Sequence, residues 1–142
     1  MNRLSDLLRD RQMFHVEPAR TVSEVARGMS ELRVGAVLVL ENGRLCGLFS
    51  ERDLMTRVVV AGRNPDETLL REVMSTELAT IEESATSEEA MELMRRNKCR
   101  HLPVTSGPEV VGMISMRDLM NYELERKTEE IQHMRAYIAG NA

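Results

Sequence analysis

One short string occurs twice in this chain. Gly47-Leu48-Phe49-Ser50-Glu51-Arg52-Asp53-Leu54 returns as Gly112-Met113-Ile114-Ser115-Met116-Arg117-Asp118-Leu119. Each copy reads Gly, two apolar residues, Ser, a variable residue, then Arg-Asp-Leu. Corresponding residues stand 65 apart (118 − 53). A pattern this specific at a fixed spacing means two copies of one structural unit. The 142 residues therefore have to fold as two small fused halves of one compact domain.

The unit can be read position by position. Thr21-Val22-Ser23-Glu24 is a capping box, with Thr at N-cap and Glu at N3, and Thr86-Ser87-Glu88-Glu89 repeats it. The first helix runs through Val25, Met29 and Leu32, and Gly35 is its expected stop. Ala36 to Leu40 is a short apolar run, hence a strand buried on both faces. Asn42-Gly43 is a hairpin turn signal, and Leu45 to Phe49 returns as a second strand. Ser50 opens a helix carrying Leu54, Met55, Val58 and Val59. In the second copy His101-Leu102-Pro103-Val104 is a strand, Ser106-Gly107-Pro108 a turn, Val110 to Ile114 the returning strand, and Ser115 opens the next helix.

Each unit is thus β-α-β-β-α, too small to bury the apolar face of its own sheet. Two such units pack sheet to sheet into one pseudo-symmetric domain of the α/β (α+β) class, with extra N- and C-terminal helices. The expected boundaries are an N-terminal helix over 1–12, the first repeat over 13–61, a linker over 62–77, the second repeat over 78–122 and a C-terminal helix over 123–142. The linker begins with the polar, Gly- and Pro-containing stretch 62–68, and Leu69 to Met74 is expected to make a helical turn. Along the last helix Leu124, Thr128, Ile131, Met134 and Ile138 recur every three or four residues. That stripe either packs back on its own domain or against a second subunit.

Composition removes several function classes. The net charge of −4, with both signs interspersed, argues against a nucleic-acid binder driven by bulk charge. No apolar run approaches the ~20 residues of a membrane helix, and no signal-peptide core follows the N-terminus, so the expectation is a cytoplasmic protein with no membrane contact. Shifted by the repeat, Cys46 falls on Val111 and Cys99 on Val34. Two cysteines that stand in for valines are small buried hydrophobes, not a zinc or redox motif. Aromatics are only 3% while Met reaches 11, which calls for an aliphatic, adaptable core.

The repeated string also carries chemistry. Its Ser ends a strand and starts a helix, where first-turn N–H groups are unpaired and the dipole is positive, so anions bind there. Arg52 and Arg117 add guanidinium groups suited to phosphate oxygens. Asp53 and Asp118 offer acceptor pairs that can take both hydroxyls of a ribose. The set suits a nucleoside phosphate. Ser at N-cap with Asp at N3 is equally a plain helix cap, so both readings stand on the residues alone. No nucleophile–base pair, metal cluster or Gly-rich phosphate loop is apparent, and no enzyme is expected.

The Thr-capped first helices, the strand His101-Leu102-Pro103-Val104, the repeated Gly-x-x-Ser-x-Arg-Asp-Leu and the linker Leu70-Arg71-Glu72-Val73-Met74-Ser75 resemble the CBS domain, and the tandem resembles a Bateman module. The chain is similar to small stand-alone bacterial CBS-pair proteins. The resemblance implies a non-catalytic regulatory or energy-sensing module. It would bind an adenosine nucleotide (AMP, ADP, ATP or NAD(H)) between the copies, act as a homodimer and pass the ligand state to a separate effector protein. It also implies site residues. One site would use Ser50, Arg52 and Asp53 with Arg100 and His101 from the other copy. The second would use Ser115, Arg117 and Asp118 with Val34 and Gly35. The Asp53 site, with Arg100 and Lys98 as company, is the one expected to favour a polyphosphate. The alternative is a protein-interaction or dimerisation module whose nucleotide pockets are vestigial.

Overall fold

The computed structural model describes residues 3–140; the outermost residues of the expected terminal helices, 1, 2, 141 and 142, lie outside that range. The elements in order are α1 (Leu4–Leu8), β1 (His15–Val16), α2 (Val22–Leu32), β2 (Ala36–Glu41), β3 (Arg44–Ser50) and α3, which is α-helical over Glu51–Asp53 and π-helical over Leu54–Val59. Then come α4 (Leu70–Val73), β4 (Ile81–Glu82), α5 (Ser87–Asn97), β5 (His101–Ser106), β6 (Glu109–Ser115) and α6 (Met116–Gly140).

Two three-stranded sheets form, ordered β1-β2-β3 and β4-β5-β6. In each, the short first strand is parallel to the central one and the third is antiparallel, with a register shift at Val39/Leu40 and again at Val104/Thr105. The hairpin turn at Asn42-Gly43 has positive φ at both residues (53° and 78°), the primed geometry that matches strand twist.

Alternation along β2 explains its unbroken apolar run. Val37 and Val39 face a helical layer with Val22, Val25, Met29, Phe49, Val58, Leu70 and Val73. Ala36, Leu38 and Leu40 face the other way, with Leu48, and meet Val110 and Met113 of the second half. The two sheets are therefore packed face to face, and the strand is dry on both sides. The second half has its own helical layer, in which Ala90, Met94 and Leu119 cover Leu102, Val104 and Ile114.

Thr21 and Thr86 cap α2 and α5 as expected, accepting from Glu24 N (3.3 Å) and Glu89 N (3.2 Å). The C-terminal stop differs from the expectation. Arg33, not Gly35, takes the left-handed turn (φ 57°) and its N–H closes the helix on the Met29 and Ser30 carbonyls; Lys98 does the same for α5. Gly35 instead accepts a backbone hydrogen bond from Glu51 N at 3.0 Å.

The terminal helix α1 is part of the repeat. Leu4 is fully buried in the core of the second half, and Leu7 and Leu8 pack against it. Leu4 N and Ser5 N donate to the Ala85 and Glu83 carbonyls, just as Leu70 N and Arg71 N donate to those of Arg20 and Pro18. So α1 and α4 are equivalent helices, and each covers the half from which its own strands are absent. Their spacing (70 − 4) exceeds that of the rest of the repeat by one residue, which hides the match in an ungapped comparison. The chain reaches its first sheet only after crossing over the second.

The stripe on α6 stays in the open. Leu124, Ile131, Met134, Tyr137 and Ile138 are all exposed, so the second half of α6 does not fold back on its own domain.

Candidate functional site

Both repeated strings form the same local structure. Ser50 accepts from Asp53 N (3.2 Å) while Asp53 Oδ2 accepts from Ser50 N (3.0 Å). Ser115 and Asp118 do likewise, at 3.0 and 2.9 Å. Each is a reciprocal cap that fixes the strand-to-helix corner and orients the carboxylate. The corner is also tied to the opposite strand, through Glu51 N to Gly35 O (3.0 Å) and Met116 N to Arg100 O (2.8 Å).

The surroundings of the two carboxylates then diverge. Asp53 Oδ1 accepts from Ser75 Oγ at 3.0 Å and lies 3.6 Å from Arg57 Nε. Ser75 is held in place by paired backbone bonds with Leu48, N to O in both directions at 2.9 Å. The Asp53 side chain is only 8% exposed. Asp118 is 26% exposed and opens on a cavity, and its Oδ1 is bonded to Arg11 Nη2 at 3.1 Å.

That cavity has a volume of 940 Å³. Val34, Gly35 and Glu51 come from the first half, His101 and Ser115 to Asp118 from the second, and Arg11 to Phe14 from the crossover. Leu38 and Met113 supply apolar wall. Four arginines (Arg11, Arg33, Arg100, Arg117) line it against two carboxylates, Glu51 and Asp118, so it favours an anion. Gly35 lies against the His101 imidazole, where a Cβ would make an ordinary van der Waals contact at 3.5 Å. Burial first of all pushes the His101 imidazole below its ordinary value; the charges of Asp118 and Glu51 pull it back only in part, and Arg100 adds to the depression. His101 is thus neutral at pH 7. Burial alone would raise the Asp118 carboxyl, but the Arg11 guanidinium and the Ser115 N–H outweigh it and hold Asp118 below the usual range.

Of the residues singled out in the sequence, the cavity gathers Ser115, Arg117, Asp118, Val34 and Gly35. Arg100 and His101 line this same cavity, rather than a separate one with Ser50, Arg52 and Asp53. Those three do not face it, and Arg52 is exposed. Arg11, Met13, Phe14, Arg33 and Glu51 were not foreseen. Glu51 holds the variable place in the repeated string, and nothing in the sequence marks Arg11, because only the crossover brings it there.

The sequence profile of the CBS domain matches residues 4–60 and again 70–125. The chain belongs to the CBS domain family. Both matches begin with the helices α1 and α4, in keeping with the equivalence seen in the fold. The CBS domain-containing protein CBSX3, mitochondrial, of Arabidopsis thaliana is 33% identical over 84% of this chain and 61% of its own length. The chain thus spans about three fifths of the length of the first curated relatives it matches. Among solved structures, the CBS domain protein NE2398 superimposes with a TM-score of 0.82 at 26% identity, covering 87% of this chain and 99% of that one. The CBS domain protein PAE2072 from Pyrobaculum aerophilum, complexed with AMP, has a TM-score of 0.73 at 29% identity, covering 82% and 88%. The tandem CBS pair and its two-sheet fold are common to all three chains compared by structure. Among the described residues no helix is long and apolar enough to cross a membrane.

Proposed function

We propose that this CBS pair is a non-catalytic regulator that binds an adenosine nucleotide in the Asp118 cavity and passes the ligand state to a partner protein. The observation that carries the reading is the cavity itself. A ribose acceptor, a helix N-terminus and four arginines converge in a space walled by both halves. Asp118 takes the ribose hydroxyls, Ser115, Arg117 and the start of α6 take phosphate, and the backbone at Val34 and Gly35 takes the adenine. AMP bound to PAE2072 supports the ligand class; ADP, ATP and NAD(H) share its recognised part. A ligand gripping both halves and the crossover favours one arrangement of them, which is how binding becomes a signal.

The Ser50, Arg52 and Asp53 set is the equivalent site on the other side. A second nucleotide there has to displace Ser75 and Arg57 from Asp53, so it binds more weakly than the first. The exposed apolar stripe on α6, with Met55 and Val59 on α3 and Val60 just after it, is the surface for a second copy, giving a homodimer. The module acts in the cytoplasm, where its two free, half-buried thiols stay reduced. The same stripe favours a second reading, an interaction module whose nucleotide cavity is idle.

Calorimetric titration of AMP into the purified chain separates these readings. One tight site per chain is expected, lost by tenfold or more in Asp118→Ala and retained in Asp53→Ala. Saturation at a hundred times Kd raises stability by about 2.7 kcal/mol. No heat and no thermal shift with AMP, ADP, ATP or NADH on ligand-free protein would leave the interaction module as the surviving reading. Conversion of ATP to ADP or AMP on incubation would contradict the absence of catalysis.

A further inference from the structure

Arg11 is an anomaly at this site. It belongs to neither repeated string, yet it occupies the oxygen of Asp118 that a ribose needs. Oδ2 already accepts the Ser115 N–H at 2.9 Å, so Oδ1 is the oxygen left for a diol, and Arg11 Nη2 sits on it at 3.1 Å. The placement is built into the chain. Asp10 takes a left-handed turn (φ 64°), a conformation Asp tolerates better than most residues, and Arg11 N bonds back to Leu8 O at 3.1 Å. This tight corner after α1 aims the Arg11 side chain into the cavity, where Gln12, Met13 and Phe14 follow along the wall.

We propose that Arg11 is the residue that makes this cavity select phosphate-bearing adenosine compounds over neutral nucleosides. The inference rests on the nucleotide reading above. Any ligand that sets its ribose on Asp118 breaks the Arg11–Asp118 pair. A nucleoside leaves the guanidinium with nothing in exchange but water. A nucleotide brings a phosphate into the same cavity, and the freed guanidinium re-pairs with it as a charge-assisted, bidentate donor. The exchange is close to balanced for a nucleotide and unfavourable for a nucleoside. Arg33 and Arg100 line the cavity but are not bonded to the ribose acceptor, so they attract phosphate without penalising its absence. At Asp53 the corresponding oxygen accepts from a neutral hydroxyl, Ser75 Oγ at 3.0 Å, and the Arg57 guanidinium stands farther off, at 3.6 Å.

The test is calorimetric titration of AMP and of adenosine into wild type, Arg11→Ala and Arg33→Asn. Arg33→Asn removes the same charge while leaving a residue that accepts the left-handed turn at that position. Wild type is expected to prefer AMP. Arg11→Ala should bind adenosine more tightly and AMP more weakly, so that the preference falls by tenfold or more; Arg33→Asn should weaken AMP without tightening adenosine. A preference that Arg11→Ala leaves unchanged, or a fall shared equally by both ligands, overturns the inference alone. Failure of wild type to bind either ligand overturns the nucleotide reading and this inference with it. Far-UV dichroism and thermal unfolding of each variant establish that the fold is intact.

Discussion

Two titrating groups at the cavity, His101 and Asp118, make its pH response predictable. The His101 imidazole is depressed, chiefly by burial. Below its ordinary value of 6.5 the unfolded chain takes up a proton that the folded chain refuses. The stability tied to neutral His101 is therefore fully present above that value and is lost as pH falls through it. Asp118 acts in the same direction at lower pH, with its contribution lost as pH falls below 3.8. The urea midpoint should fall between about pH 7.5 and about pH 5.5, and His101→Gln should flatten that slope. An unchanged slope in His101→Gln would exclude the buried imidazole as its source. At this scale the sequence supplied the residue types and the caps, since Ser-x-x-Asp has only one way to close a helix start. It could not show that one carboxylate is sealed by Ser75 and the other held by Arg11, because both partners arrive from distant segments.

The elements explain the first letter of the repeated string. Gly47 and Gly112 sit in β3 and β6 where the crossovers pass over the sheet edges. A Cβ on Gly47 would stand 2.5 Å from Met74 Sδ and 3.0 Å from Ser75 O; one on Gly112 would stand 3.1 Å from both Leu8 methyl carbons. The glycines are there for close approach, not for an unusual backbone angle. Met74, directly after α4, and Leu8, the last residue of α1, occupy equivalent places, so the contact is itself repeated. Gly47→Ala should cost about 1–3 kcal/mol in urea unfolding, because the Ser75 carbonyl is tied to Leu48 and cannot retreat. Gly112→Ala should cost less, since a leucine side chain can turn away. A double-mutant cycle of Gly47→Ala with Met74→Ala should show coupling, and strict additivity would mean that the clash is not with Met74. The strand and helix positions were readable from period and caps, whereas the π-helical turn over Leu54–Val59 had no sequence signal.

At the scale of the whole molecule, the two terminal helices have opposite standing. Leu4 lies in a terminal helix outside both repeats as the sequence divides them, and it is fully buried in the core of the second half. Ile131 belongs to a stripe whose partner the sequence leaves open between its own domain and a second subunit, and it is 50% exposed. Leu4→Ala should therefore lower stability by about 2–5 kcal/mol. Ile131→Glu should change the stability of the single chain by no more than about 0.5 kcal/mol. If a second copy covers the α6 stripe, Ile131→Glu should instead lower the mass measured by light scattering. A large loss of stability in Ile131→Glu without a change of mass would show that the helix packs on its own domain after all.

The repeat, its element order and the pairing of sheets were determined by sequence alone, because caps, turns and apolar period are local and occur twice at one spacing. So was the reciprocal Ser–Asp cap at each corner. Tertiary structure decided what closes each half and which corner is open. Those depend on the crossovers: α1 lies on the second core, Ser75 is fastened to Leu48 over Asp53, and Arg11 reaches Asp118 across 107 residues of chain. Contacts of that separation follow from how the chain is threaded, and no local pattern of residues encodes the threading.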